Sequence, residues 1–257
     1  MFIESPLKLS VMVAAFTTLF TVTAQAQVFE VIHPDVDQGE VELELLTGFV
    51  LENVDDGEEQ SAYELAVGYG VTSFWKTTIA VEFADVEGDG FEYEGFEWEN
   101  VLLLPLGDGD HDHGGDEGVS LEALGLYFAL EIPRDGGIDD GAIVVGPLAE
   151  ARFGPVETIA NLFVEFPFED GEDEALIYTL AAAVDVTEST AVGLELFGEV
   201  ESAFTSGTES ELFIGPAAYF DVDLGGGRAI EPRIAVLFGT ESEQPDAVLS
   251  INAELKF

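Results

Sequence analysis

The sequence contains no cysteine, which excludes a disulfide framework, a thiolate metal site and a lipid-modified cysteine at a mature N-terminus. Positive charge is almost as scarce. Seven Lys and Arg stand against 53 Asp and Glu, for a formal net charge of -46. A surface of that sign repels nucleic-acid phosphates and anionic headgroups, so nucleic acid is excluded as a partner and anything bound by charge is cationic. The same acidity also fits a halophile's proteome, in which surface carboxylates serve solubility and no ligand. Histidine occurs only three times. Beyond Ala26 no apolar run reaches the ~20 residues that a membrane helix needs, although 47% of the residues are hydrophobic. The apolar content must therefore be distributed in another pattern.

The first residues carry an export pattern. Lys8 precedes an apolar stretch from Leu9 to Val22, and Ala24-Gln25-Ala26 supplies the small-x-small site that signal peptidase accepts. The stretch is too short for a membrane anchor. Residues 1–26 are expected to be a signal peptide, with the mature chain starting at Gln27, a short periplasmic lead over 27–37, and the folded body over 38–257.

From Gln38 onward, apolar and polar residues alternate with period two, the mark of a strand with two unlike faces. Val41, Leu43, Leu45, Thr47, Phe49 and Leu51 share one face, while Glu40, Glu42 and Glu44 begin the other. A helix would scatter those glutamates around its circumference. Tyr63, Leu65, Val67, Tyr69 and Val71 repeat the pattern against Ala62, Glu64, Ala66, Gly68 and Gly70. Similar segments recur near 76–86, 94–104, 120–132, 142–152, 157–166, 175–186, 190–201, 210–222, 229–239 and 247–257, about twelve in all, and each is long enough for a spanning strand of ~9–11 residues. A soluble β-sandwich shows the same alternation but does not normally need so many strands.

Two features favour a membrane barrel. Connections read as alternating: long and acidic after the first strand, short after the second at Ser73 to Trp75, long after the third, then short at Gly154-Pro155-Val156 and Thr187-Glu188-Ser189, and long at Pro167 to Glu174 and Ser202 to Glu209. Short periplasmic turns alternating with longer external loops are the topology of outer-membrane barrels. At the chain's end Leu249, Ile251, Ala253, Leu255 and Phe257 form one apolar face closed by an aromatic residue. Such a final strand resembles the insertion signal of bacterial outer-membrane β-barrel proteins. The fold expected is all-β, an antiparallel up-and-down transmembrane β-barrel of about twelve strands, integral to the outer membrane, with lipid and lipopolysaccharide as its surroundings.

At a finer level, Gly70-Val71-Thr72-Ser73-Phe74-Trp75 and Phe96-Glu97-Trp98-Glu99-Asn100 resemble elements of uncharacterised proteobacterial outer-membrane proteins, some transporter-like and some of the MetA-pathway phenol-degradation type. That resemblance assigns no functional residues. Phe74 and Trp75 sit at a strand end, where amphipathic rings favour the headgroup interface.

The most conspicuous local motif is Gly107-Asp108-Gly109-Asp110-His111-Asp112-His113-Gly114-Gly115-Asp116-Glu117. Asp110, His111 and His113 offer imidazole and carboxylate ligands for a metal, but a glycine-rich loop has no convergence built in. An EF-hand is excluded, because position six of the loop is His113 rather than Gly and position twelve is Val119 rather than Glu. Because it follows four strands, this loop is expected on the periplasmic side, where the alternation otherwise gives short turns. Catalysis has little support: no strand carries a histidine, no Gly-x-Ser-x-Gly elbow occurs, and His33 lies ahead of the first strand beside Pro34. No enzyme activity and no cofactor are expected.

The inward face is more informative. In this phase it holds Glu40, Glu42, Glu44, Glu64, Glu82, Glu97, Glu99, Glu165, Glu195, Glu199 and Glu211, offset by Lys76, Arg152 and Arg233. Glu42, Glu64, Glu97 and Glu195 are the candidate lumen residues for cation preference, since fixed carboxylates concentrate cations in a narrow pore. Two functions follow from this pattern: a passive channel or transporter for small solutes with cation preference, or a non-transporting structural or surface-interaction barrel whose acidic loops bind divalent cations.

Overall fold

A computed structural model describes residues 27–51, 59–106, 118–134, 136–169, 172–204, 210–241 and 244–257. One antiparallel sheet accounts for nearly all of it. Its strands are β1 (Val41–Val50), β2 (Glu59–Thr72), β3 (Trp75–Val86), β4 (Gly90–Leu103), β5 (Val119–Pro133), β6 (Ala142–Phe153), β7 (Val156–Pro167), β8 (Ala175–Thr187), β9 (Thr190–Val200), β10 (Ser210–Phe220), β11 (Val222–Asp223), β12 (Ala229–Gly239) and β13 (Val248–Lys256). Consecutive strands pair from β1 to β10 and from β11 to β13, β1 pairs with β13, and β10 pairs with β12. The two-residue β11 continues β10 past Asp221 along the same partner strand, so the wall has twelve strands and no open edge. Closure matters because a free edge would leave backbone donors and acceptors unpaired in hydrocarbon.

The alternation in sequence becomes the two sides of this wall. Val67 and Leu194 are 53% and 58% exposed, while their neighbours Ala66 and Glu195 are 3% and 1% exposed. Leu43, Leu126, Leu162, Leu180 and Ile251 are exposed on the same outer side, and Val81 is half-buried there. Aromatic residues gather on the outside of β1 to β4 near the end carrying the first long loop. Tyr63 lies 5.7 Å from Phe49 and 5.5 Å from Phe91, and Phe83 stacks on Phe91 at 5.2 Å. Near the opposite end, Trp75 Nε1 donates to Asn100 Oδ1 at 3.0 Å and Trp98 Nε1 to Thr77 Oγ1 at 2.9 Å. Aromatic rings at both ends of an apolar band are what two membrane interfaces select.

One connection differs from expectation. The long loop foreseen after the third strand is a tight turn, because β4 begins at Gly90 instead of near residue 94. Gly88 and Gly90, at φ 91° and 89°, supply the left-handed backbone of the turn, and Phe91 and Tyr93 continue the outward face. The histidine loop does join β4 to β5, on the same end as the tight turns at Ser73 and Ser189, so the strand count ahead of it holds. Residues 107–117 themselves lie outside the described residues.

The larger difference concerns residues 27–37. Expected as a short periplasmic lead, they run along the inner side of the wall. Asp37 O accepts from Glu40 N at 3.1 Å, and Gly39, at φ 89°, donates to Gly70 O at 2.8 Å, which reverses the chain into β1. The lead then lies antiparallel to β1, with Asp37 beside Gly70 and Gln27 beside Gly48. Neither glycine could be another residue without moving the lead, since a Cβ at Gly70 would lie 1.9 Å from Asp37 O and one at Gly48 1.9 Å from Gln27 O.

Candidate functional site

The site is the interior of the barrel, and parity puts carboxylates there. A strand that presents Leu, Val and Ile to the outside at every second position presents the intervening residues inward. Glu42, Glu64 and Glu195 are 3%, 5% and 1% exposed, and Glu99 is buried with them. Glu97 also points inward, where Tyr127 Oη donates to its Oε1 at 2.9 Å. The four glutamates singled out in sequence therefore all face the interior. They fall into two kinds there.

Glu42 and Glu195 are paired. Lys76 Nζ donates to Glu42 Oε2 at 2.8 Å. Arg233 Nε donates to Glu195 Oε1 at 2.6 Å, Arg233 Nη2 bonds Oε2, and Tyr219 Oη donates to Oε1 at 2.7 Å. Among the described residues, Glu64 and Glu97 have no such basic partner. Two inward bases cancel two of the four charges, and the sequence gives no direct sign of which, because the partners stand on strands far apart in the chain.

The lead is held by the same polar groups. Arg233 Nη1 and Asn252 Nδ2 both donate to Phe29 O, at 3.1 and 2.8 Å. Asn161 clamps Ile32 from both sides of its peptide, accepting from its N–H at 3.0 Å and donating to its carbonyl at 2.9 Å. Gln27 Nε2 donates to Glu211 Oε2 at 3.1 Å. A strand without a pairing neighbour inside a barrel leaves its peptide groups unsatisfied unless wall side chains meet them, and these residues do so.

Apolar packing also holds the lead inside the barrel. Phe29 and Val31 bury against Phe197, Phe213, Leu237 and Val248, with the Phe29 ring 5.0 Å from Phe213 and 5.1 Å from Phe197. Ile32 buries on the other side against Val101, Tyr127, Leu148 and Phe163. The signal for this was present in sequence: Val28, Phe29, Val31, Ile32 and Val36 are too apolar for a solvated linker. Its destination was not visible, because nothing local distinguishes a strand bound for the lumen from one bound for the wall.

Two cavities of about 380 Å³ each remain beside the lead, one toward each end of the barrel. The one at the tight-turn end is bounded by Glu44, Glu157, Glu188, Glu231, Arg233 and Glu254, among others. The one at the long-loop end contains Glu64, Glu82, Glu97, Glu131, Glu199 and Glu211. Glu30 of the lead borders both. Asp110, His111 and His113 lie outside the described residues. Among the described residues, the metal-competent grouping is a different one, with carboxylate oxygens of Glu64, Glu82 and Glu97 within 4.8 Å of one another. His33 borders the cavity at the tight-turn end.

No protein-family model and no curated protein matches the chain. Solved structures do. A KdgM porin in complex with a disordered oligogalacturonate aligns with TM-score 0.52 and 8% identity, over 85% of this chain and 98% of that one. The translocator domain of the autotransporter NalP from Neisseria meningitidis aligns with TM-score 0.45 and 11% identity, over 86% and 88%. The anion-selective porin from Comamonas acidovorans aligns with TM-score 0.36 and 11% identity, over 85% and 97%. At these identities the likeness concerns the fold, and the fold is that of bacterial outer-membrane β-barrels.

Proposed function

We propose that this chain is an outer-membrane channel that passes small cationic or neutral solutes without an energy source, and that the lead over 27–37 is its closure. The observation that carries this reading is the sign of the interior. Of the seven bases in the chain, Lys76, Arg152, Arg233 and Lys256 face inward, and each bonds a carboxylate there. The surplus is acidic along the whole depth, so cations are drawn in and anions repelled at close range. Solute classes do not carry over from the barrels of like fold: an oligogalacturonate is a polyanion, and this interior opposes it. The short stretches resembling phenol-degradation-type outer-membrane proteins fit a small-solute channel and add no residue to it.

The packed lead favours one competing reading, a barrel that transports nothing and serves the outer surface. Conductance separates the two. The purified barrel in a planar bilayer is expected to show cation-selective current, by reversal potential in a potassium chloride gradient, and the preference is expected to fall when Glu42, Glu64, Glu97 and Glu195 are all changed to Gln. Wall charges act within several ångströms of an ion, whereas loop carboxylates beyond the ~8 Å Debye length are screened at physiological salt. Absence of current in both the parent and a variant with a loosened lead would leave the non-transporting reading.

A further inference from the structure

The cavity at the long-loop end has a chemistry that conduction does not require. Six wall glutamates and Glu30 of the lead border it, and no Lys, Arg or His does so among the described residues. The bases are committed elsewhere: Lys76 to Glu42, Arg233 to Glu195, Arg152 to Glu157, Lys256 to Glu231, and Arg134 to Glu92 at the rim.

The carboxylates are also placed against one another. Glu64 stands directly opposite Glu82 across β2 and β3, and Glu97 directly opposite Glu131 across β4 and β5. Like charges facing each other on neighbouring strands are destabilising. The repulsion is sharpest where oxygens of Glu64, Glu82 and Glu97 come within 4.8 Å of one another. Glu64 is 5% exposed, and no described side chain donates a hydrogen bond to it. Such a cluster is relieved by a proton, by water in the cavity or by a cation at its centre, and three carboxylates converging on one point make the cation a fitting occupant.

We propose that Glu64, Glu82 and Glu97 bind one hard divalent cation of the calcium class inside the barrel. The ligands are carboxylate oxygens only, with neither imidazole nor thiolate, which disfavours zinc and copper. Calcium takes six to eight oxygens in flexible geometry at ~2.3–2.6 Å, so three side chains converging from adjacent strands, completed by water in the cavity, suit it better than the near-ideal octahedron magnesium demands. Tyr127, hydrogen-bonded to Glu97, fixes the orientation of that ligand. The site would tie β2, β3 and β4 together beside the lead, whether or not the barrel conducts.

Terbium, a luminescent calcium surrogate, tests this, because Tyr127 touches a ligand and can sensitise its emission. With the refolded full-length barrel stripped by chelator, the expected result is one saturable, tyrosine-sensitised site from which calcium displaces terbium. Affinity should fall by at least about tenfold in Glu82→Gln and in the Glu64→Gln, Glu97→Gln pair, the lower end of what even outer-shell partners contribute. Tyr127→Phe should dim the emission and, by removing the hydrogen bond to Glu97, weaken calorimetric calcium binding without abolishing it. Changing Asp108, Asp110 and Asp112 to Asn should leave the sensitised site intact. Heat-modifiable gel migration reports folding of each variant, and if a Gln variant does not fold, Tyr127→Phe still decides whether the bound ion lies beside Tyr127. No sensitised binding by the parent, unchanged affinity in the folded Gln variants, emission indifferent to Tyr127→Phe, or loss confined to the histidine-loop variant would overturn the proposal.

Discussion

Arg233 on β12 and Glu195 on β9 form a two-point ion pair inside the barrel, 38 residues apart in sequence and on either side of β10. Tyr219 of β10 donates to the same carboxylate, and Ser250 Oγ and Phe29 O accept from the same guanidinium. One pair thus joins four wall strands to the lead. Removing one partner of a buried ion pair costs about 3–5 kcal/mol, because the other charge remains unpaired. Arg233→Met is expected to lose stability on that scale in urea unfolding from lipid vesicles, and adding Glu195→Gln is expected to recover much of it. Equal stability of Arg233→Met and the parent would mean the pair is open in the membrane.

The paired and unpaired glutamates should separate by stability. Glu42→Gln strands Lys76 and is expected to destabilise. Glu64→Gln, measured in chelator, removes a charge that opposes Glu82 and is expected to be neutral or stabilising, by a few tenths of a kcal/mol up to about 1 kcal/mol. Unfolding titrations of the two variants side by side give the sign. The same cost for both would show that Lys76 is not the feature distinguishing them.

Gly70 and Gly48 hold the lead against the wall. Gly70→Ala sets a Cβ where Asp37 O now lies, 1.9 Å away, so the lead must move or the strand must bend, at about 1–3 kcal/mol. Faster hydrogen exchange is expected at the lead amides, Ile32 among them, with the amides of β6 to β8 unchanged. In the bilayer the same variant should open more often than the parent. Exchange that stays slow in the lead would mean the seal does not depend on this contact.

The outer band should resist charge. Val67→Arg or Leu194→Arg is expected to cost about 2–4 kcal/mol at mid-membrane. A milder inward control is Glu199→Arg, whose side chain would enter the acidic cavity. Ala66, inward by parity, is not such a control: at 3% exposure it has no room for a long side chain. Vesicle folding titrations measure all three, and equal penalties at Val67 and Glu199 would contradict the assigned faces.

Composition and period two determined the strands, their count, which side of each faces lipid, and that Glu42, Glu64, Glu97 and Glu195 point inward, because strand geometry ties side-chain direction to parity alone. The turn at Gly88 is shorter than the sequence suggests for a related reason: Glu92 reads as loop together with Glu87 and Asp89, yet it continues a strand because Phe91 and Tyr93 on either side of it stay outward. Tertiary structure decided the rest. Lys76 meets Glu42 across 34 residues and Arg233 meets Glu195 across 38, distances that only the closing of the sheet spans. That closure also turns the lead from an apparent linker into the core, since Phe29, Val31 and Ile32 gain their apolar partners from strands on opposite sides of the barrel, a relation that no local pattern encodes.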